Sequence, residues 1–295
     1  MKNQTTFPIN KVPDIQHHPH NFRLISRLEP MTGRLIPRVG DEKPVVFLDT
    51  ETTGTEHNTD AIVEIGFVRG TYSPSKGCLA SIDGRASIFN DPGRPIPEEA
   101  TRVHGIKDED VAGERITQND LDAWLFGDPL VIAHKSEFDR PFVDALFPNR
   151  EPLLWACSLE DVDWRQLGYE ARALSYLCIM NGVFYEGHRA VVDCEALAFL
   201  MATEKEAFQQ ILARALKPHL RVEAKGAPYE VKDTLFRNRY TWNREARVWW
   251  KDVPEAKVSE EKEFLDSLYH RGGDRSTVSP LDPRQRFVKK ALVRS

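Results

Sequence analysis

The sequence predicts an α/β fold: a mixed β-sheet flanked by helices, followed by a small C-terminal α+β module. Three observations predict it. Residues 45–91 hold three successive apolar, β-branched runs (VVFLDTET, AIVEIGFVRG and CLASIDGRASIFND) joined by short connections, the pattern of an antiparallel meander. Residues 117–203 then alternate short apolar runs with helical periodicity, as in a sheet that helices cover. Beyond Lys217 the texture changes to strand, helix, hairpin and helix, with a basic charge balance.

Taken in order, residues 1–43 lack sustained periodicity and carry scattered Pro, His and Arg, so an irregular arm is expected. A principal domain follows over residues 44–215. After the meander it holds a Pro-rich loop (NDPGRPIPEEA), a helical pattern near Thr117 to Leu125 and a buried strand at Leu130 to Ala133. A helix from about Glu137 to Phe147, a strand at Leu153 to Cys157, and helices at Ala171 to Asn181 and Ala190 to Thr203 complete it. A second module is expected over residues 216–270, with Asn243 and Arg244 at a hairpin turn and Ser259 as an N-cap ahead of Glu260 and Glu261. Residues 271–295 are basic and unpatterned, which predicts a flexible tail.

Composition narrows the class. At 295 residues and 41% hydrophobic, the chain can bury one sizeable core and a small additional unit. The net charge of −5 is unevenly spread, because residues 217–295 carry 18 Lys and Arg against 12 Asp and Glu. The acidic part suits a metal site and the basic part suits a polyanion. Cys78, Cys157, Cys178 and Cys194 form no C-x-x-C pair and read as reduced thiols. No apolar run approaches the 18 or so residues of a membrane span, and no signal-like segment opens the sequence, so a cytoplasmic protein without a membrane partner is expected.

The chemistry-bearing residues lie at three places. Asp49 and Glu51 end the first apolar run; on a strand they share a face while Thr50 points away. Two adjacent carboxylates repel and raise each other's pKa unless a cation neutralises them, and hard divalent ions prefer such all-oxygen sites. Gly54 allows a sharp turn, and the Thr52 and Thr53 amides and hydroxyls stand where a terminal nucleotide could be held. Asp139 falls in the first turn of a helix after a buried strand, and His188 and Asp193 bracket the start of another helix. Singly, each has an ordinary structural explanation: a charged edge strand, a dipole-stabilised helix start, a solvated histidine.

Together these motifs resemble the DEDDh branch of the DnaQ-like 3′→5′ exonucleases, which have an RNase H-like fold. The family's D-x-E-T-T-G is matched by Asp49 to Gly54, its A-H-N-x-x-F-D by Ala133 to Asp139, and its H-R-A-x-x-D by His188 to Asp193. Its P-x-P-I-P and V-H-G-I segments appear as GRPIP and Val103 to Ile106. The resemblance spans about residues 45 to 205 and departs at Lys135, where the family has Asn. It implies that Asp49, Glu51, Asp139 and Asp193 hold two Mg²⁺ or Mn²⁺ ions and that His188 is the general base. It further implies that the terminal nucleotide contacts Thr50, Thr52, Thr53, Val103, His104 and Phe138, and that a nucleoside 5′-monophosphate is released.

The C-terminal module sets Arg237, Arg239, Arg244, Arg247 and Lys251 among Tyr240, Trp242, Trp249 and Trp250. Basic and aromatic residues interleaved in this way suit single-stranded nucleic acid, and equally a small aromatic core with a charged rim. The leading expectation is trimming of DNA 3′ ends, alone or beside a polymerase or other nucleic-acid-processing partner. An RNA-trimming relative and a non-catalytic accessory module are the alternatives.

Overall fold

A computed structural model describes residues 9–216, 219–244, 246–268 and 276–288. The N-terminal segment is largely exposed yet attached at two points. It holds a short helix α1 (Val12–His17) and two-residue strands β1 (Ser26–Arg27) and β2 (Gly33–Arg34). Strand β2 pairs antiparallel with Ser81 and Ile82, while Leu28 and Met31 pack onto the main core. Its irregularity was legible from composition; its docking depends on partners far along the chain.

The main sheet grows from the expected meander. Strands β3 (Lys43–Thr52), β4 (Ile62–Ser73) and β5 (Cys78–Phe89) are antiparallel neighbours. Helices α2 (Glu98–His104), α3 (Asp108–Val111) and α4 (Gln118–Trp124) follow, and β6 (Leu130–Ala133) then pairs parallel with β3. Helix α5 (Ser136–Leu146) crosses to β7 (Leu154–Cys157), parallel to β6, giving the mixed sheet order β2-β5-β4-β3-β6-β7. Helix α6 (Leu174–Met180), strand β8 (Val183–Phe184), α7 (Ala190–Thr203) and α8 (Lys205–Ala215) complete the α/β unit. Strand β8 pairs parallel with β1.

The central position of β3 explains why its first half is apolar on both faces. Val45 to Leu48 are fully buried, and their side chains alternate between two cores. Val45 and Phe47 join Leu177, Leu197, Leu200 and Phe208 on the face covered by α6, α7 and α8. Val46 and Leu48 join Leu121, Leu125, Phe142 and Trp155 on the face covered by α4 and α5. Three layers therefore hold the end of β3 rigidly. Helix α4 begins at a reciprocal cap: Thr117 Oγ1 accepts from the Asp120 N–H, and the Asp120 carboxylate accepts from the Thr117 N–H.

The second unit contains β9 (His219–Ala224), α9 (Lys232–Arg237), β10 (Thr241–Asn243), β11 (Val248–Pro254), α10 (Val258–Leu268) and β12 (Ser276–Leu281). Its antiparallel sheet runs β10-β11-β9-β12, around a core of Val222, Leu235, Tyr240, Val253 and Leu265. Two expectations are corrected here. Ser259 lies inside α10 rather than at its cap, because a 3₁₀ turn over Glu255–Lys257 feeds the helix at Val258. The basic C-terminal stretch is structured where described: β12 pairs with all of β9, and the residues after it lodge against the α/β unit. Arg284 forks onto both oxygens of Asp128, Arg286 is buried on Asp161, and the buried Arg140 donates to the Arg286 carbonyl. The rest of the expected tail, 271–275 and 289–295, lies outside the described residues.

Among the described residues the four cysteines are free and no helix is long and apolar enough to cross a membrane.

Candidate active site

Glu51 lies directly across from Glu64 of β4, and Asp49 directly across from Gly66. Opposed residues of antiparallel strands share a face, so a third carboxylate joins the two predicted on β3. Gly66 has a separate consequence. A Cβ there would stand 2.3 Å from the Ala190 carbonyl carbon and 2.4 Å from the Val191 nitrogen, so only glycine lets α7 approach the sheet this closely. That approach delivers Asp193 to the end of β3. Carboxylate oxygens of Asp49, Glu51 and Asp193 come within 4.8 Å of one another.

Asp193 is fixed from two sides. The Tyr185 hydroxyl donates to Oδ1 at 3.0 Å and the His188 backbone N–H donates to Oδ2 at 2.7 Å. His188 adopts the left-handed conformation, φ 67°, which is costly for a residue with a Cβ and typical of constrained functional positions. Its side chain is exposed at the rim while its main chain is committed.

Asp139 is placed differently. It lies one turn into α5, 2% exposed, and its Oδ1 accepts from both the backbone N–H (3.1 Å) and the hydroxyl (2.8 Å) of Thr50. Helix α5 is thereby tied to the strand that carries Asp49 and Glu51. The three-way cluster is Asp49, Glu51 and Asp193, with Asp139 adjoining it.

Burial and mutual repulsion make the site electrostatically costly. Burial is the main cause that pushes Asp49 well above the usual carboxylate range, with Asp139, Asp193, Glu51 and Glu64 adding to it. Glu51 is pushed up to about 8, mainly by burial and then by Asp193 and Glu64. Burial also raises Asp139 to about 7, against the opposing Thr50 hydrogen bonds, and raises Asp193 against those from His188 and Tyr185. Carboxylates held in this state match the donor chemistry of a hard divalent cation, which would relieve the repulsion.

Glu64 and Arg189 are the residues sequence reasoning missed. Glu64 is completely buried and accepts from Arg189 Nε (3.0 Å), Arg189 Nη2 (3.2 Å), the Ala190 backbone N–H (3.2 Å) and Ser87. It caps the start of α7 and, with Arg189, neutralises itself beneath the cluster. The signals were a lone Glu in the apolar run AIVEIG and an Arg directly after the candidate base.

The expected nucleotide contacts divide. Thr50, Thr52 and Thr53 are buried and their hydroxyls make hydrogen bonds within the chain. Thr50 holds Asp139, Thr52 donates to the Gly54 carbonyl at 2.6 Å, and Thr53 Oγ1 accepts from Arg94 and from the Ala61 N–H. Gly54 is required by the Asp60 carboxylate, which would stand 2.4 Å from a Cβ. Val103 is exposed, Phe138 is partly buried with the Lys135 ammonium 5.7 Å from its ring centre, and His104 is 5% exposed, its Nδ1 accepting from the Ile106 N–H.

These strands and helices carry a carboxylate cluster that could hold a metal ion. The chain belongs to the exonuclease family (RNase_T), whose model matches residues 46–201. It is 27% identical over 202 residues to the DNA polymerase III PolC-type of Bacillus subtilis, covering 62% of this chain and 13% of that protein. It is 29% identical over 165 residues to the DNA polymerase III subunit epsilon of Treponema pallidum, covering 52% of this chain and 73% of that one. The chain thus matches a small part of the polymerase and most of the epsilon subunit. Among solved structures it is similar to Exonuclease X in complex with 5′ overhanging duplex DNA (23% identity, TM-score 0.45, 57% of this chain and 97% of that one). It is also similar to the E. coli ExoI–ssDNA complex (14% identity, TM-score 0.48, 76% and 67%).

Proposed function

We propose that this protein removes nucleotides from the 3′ ends of DNA, preferring single-stranded or frayed ends, and releases nucleoside 5′-monophosphates. The convergence of Asp49, Glu51 and Asp193 oxygens within 4.8 Å, beside Asp139, carries the reading. Such a donor set fits Mg²⁺ or Mn²⁺, and we assign the four carboxylates as the residues that hold two ions. When bound, the ions neutralise developing charge on the phosphodiester and lower the pKa of water.

The chain's own residues supply the remainder. His188, exposed at the rim, takes a proton from the attacking water at its ring nitrogen. Tyr185 and the His188 main chain hold Asp193 still during that transfer. The Arg189–Glu64 pair keeps the start of α7 seated without adding an unpaired charge. Val103 and Phe138 offer apolar and ring faces that any base can pack against, with the buried His104 supporting them from below, which favours sequence-independent trimming.

The organisation we propose is an arm over 1–43, the exonuclease domain over 44–215 and a nucleic-acid-contacting module over 216–270. The names of the matched relatives support association with a DNA polymerase as the partner. Digestion of end-labelled single-stranded DNA, duplex DNA and RNA, with and without Mg²⁺ or Mn²⁺, tests the proposal. Metal-dependent release of 5′-mononucleotides from the 3′ end of DNA is expected. Faster digestion of RNA, or loss of label from the 5′ end first, would overturn it.

A further inference from the structure

Five acidic side chains meet at the proposed site, so a polyanionic strand needs cations beside it to approach. Three exposed cations, Lys135, Arg172 and Arg239, are candidates. Lys135 opens helix α5, exposed, its ammonium over the Phe138 ring. The residue before it, His134, is held by two partners: Nδ1 pairs with the Ser158 hydroxyl at 2.7 Å and Nε2 with the Arg172 carbonyl at 2.9 Å. Burial holds His134 down at about 4, so the ring is neutral and Nε2–H is the donor that ties the Arg172 backbone to the residue preceding Lys135. Arg172 and Arg239 then grip opposite oxygens of Glu160, at 3.0 and 3.3 Å. The two arginines are 50% and 68% exposed and share a single acid, which leaves net positive charge where the two units meet. In the sequence, Arg239 falls between two exposed aromatics of the second unit, Phe236 and Trp242.

We infer that the strand 5′ of the scissile bond leaves the carboxylate pocket over Phe138 and follows a cationic track of Lys135, Arg172 and Arg239 onto the C-terminal module, where Phe236 and Trp242 stack its bases. The inference rests on the exonuclease reading and deepens it: the ligand is single-stranded nucleic acid longer than the active site alone can hold. Lys135, in the place of the family's Asn, is the first stepping stone. Charge follows the phosphates and the rings take whichever bases arrive, so the track is indifferent to sequence.

The test is binding, so that it stands apart from catalysis. Fluorescein-labelled (dT)4 and (dT)20 are titrated by anisotropy against full-length protein carrying Asp49→Ala and Glu51→Ala, across about 50 to 200 mM salt. Adding Lys135→Asn should weaken both oligonucleotides about five- to tenfold and reduce the salt slope by about 0.7, the value of one single-strand phosphate contact. Arg239→Gln should weaken only (dT)20. Glu160→Gln is the discriminating variant: a track gains net charge and binds (dT)20 more tightly, whereas an ion pair that only glues the units together predicts weaker binding. An unchanged salt slope with Lys135→Asn, equal losses on both lengths with Arg239→Gln, or weaker binding with Glu160→Gln would each overturn the track. Failure of the unmutated protein to release nucleotides would instead remove the exonuclease reading beneath it.

Discussion

Two buried charge clusters, a front one at the end of the central strand β3 and a rear one beside the edge strand β7, are built to opposite rules. At the rear, Asp161 is 1% exposed and accepts from Arg286 and from the Cys157 N–H, while Arg140, also 1% exposed, is spent on Asp144 and the Arg286 carbonyl. Acid and base are matched there within the chain. At the front, Asp49, Glu51 and Asp193 face one another, and the nearest arginine, Arg189, is given to Glu64. The rear cluster joins the two units; the front one leaves charge uncompensated by the chain. Buried charge that is matched internally serves the fold, and buried charge left over marks where a ligand is expected.

That contrast can be broken from either side. The largest effect is expected for Asp49→Ala with Glu51→Ala: nucleotide release should fall about a thousandfold or more, equivalent to ~4 kcal/mol of transition-state stabilisation, while the melting temperature of metal-free protein rises. Unimpaired release by that variant would show that the front carboxylates are not the reactive centre. Next, Arg286→Ala should destabilise the protein by about 3–5 kcal/mol in denaturant titration, because it strands Asp161 in the interior. A loss below about 1 kcal/mol would mean that the rear cluster is hydrated and contributes little.

The third test separates the clusters by pH. Glu51, ordinarily near 4.5, is raised to about 8 in the fold, so between those values the folded state binds more protons than the unfolded one. Its contribution is fully present below about 4.5 and is lost as pH rises through about 8, so metal-free protein should lose up to about 5 kcal/mol across that window. Saturating Mn²⁺ should flatten the profile by binding the ionised form, and a profile unaffected by Mn²⁺ would contradict the cage. The smallest effect is expected for Gly66→Ala, about 1–3 kcal/mol of stability, with a weakened Mn²⁺ response because α7 is pushed off the sheet and Asp193 moves with it. Crystallography of that variant should show the start of α7 displaced.

The front of the molecule was largely legible in the sequence and the rear was not, for physical reasons. Strand β3 declares itself by four consecutive apolar residues, and period-two alternation alone puts Asp49 and Glu51 together. Period two says nothing about which donor reaches a hydroxyl first, so the threonines read as free when Asp139, Gly54 and Asp60 already engage them. Glu64 was hidden because a solitary acid in an apolar strand gains meaning only from the register that sets it opposite Glu51. Helix α8 went unseen because Glu204 alone separates it from α7, with neither glycine nor proline to mark the break. Strand β12, STVSPL, is weakly apolar and exists because β9 pairs with it. Arg286 looks like any tail arginine until Asp161, 125 residues away, is placed beside it.

One detail of the front cluster reaches further. Position 188 grips Asp193 through its peptide nitrogen and leaves its imidazole outside. Any residue that tolerates the left-handed conformation there, glycine or asparagine above all, can keep that grip without offering an imidazole. Structure and chemistry are thus separable at a single side chain. A descendant of this fold could give up hydrolysis while still clasping the end of a strand, a caliper made from what had been a blade.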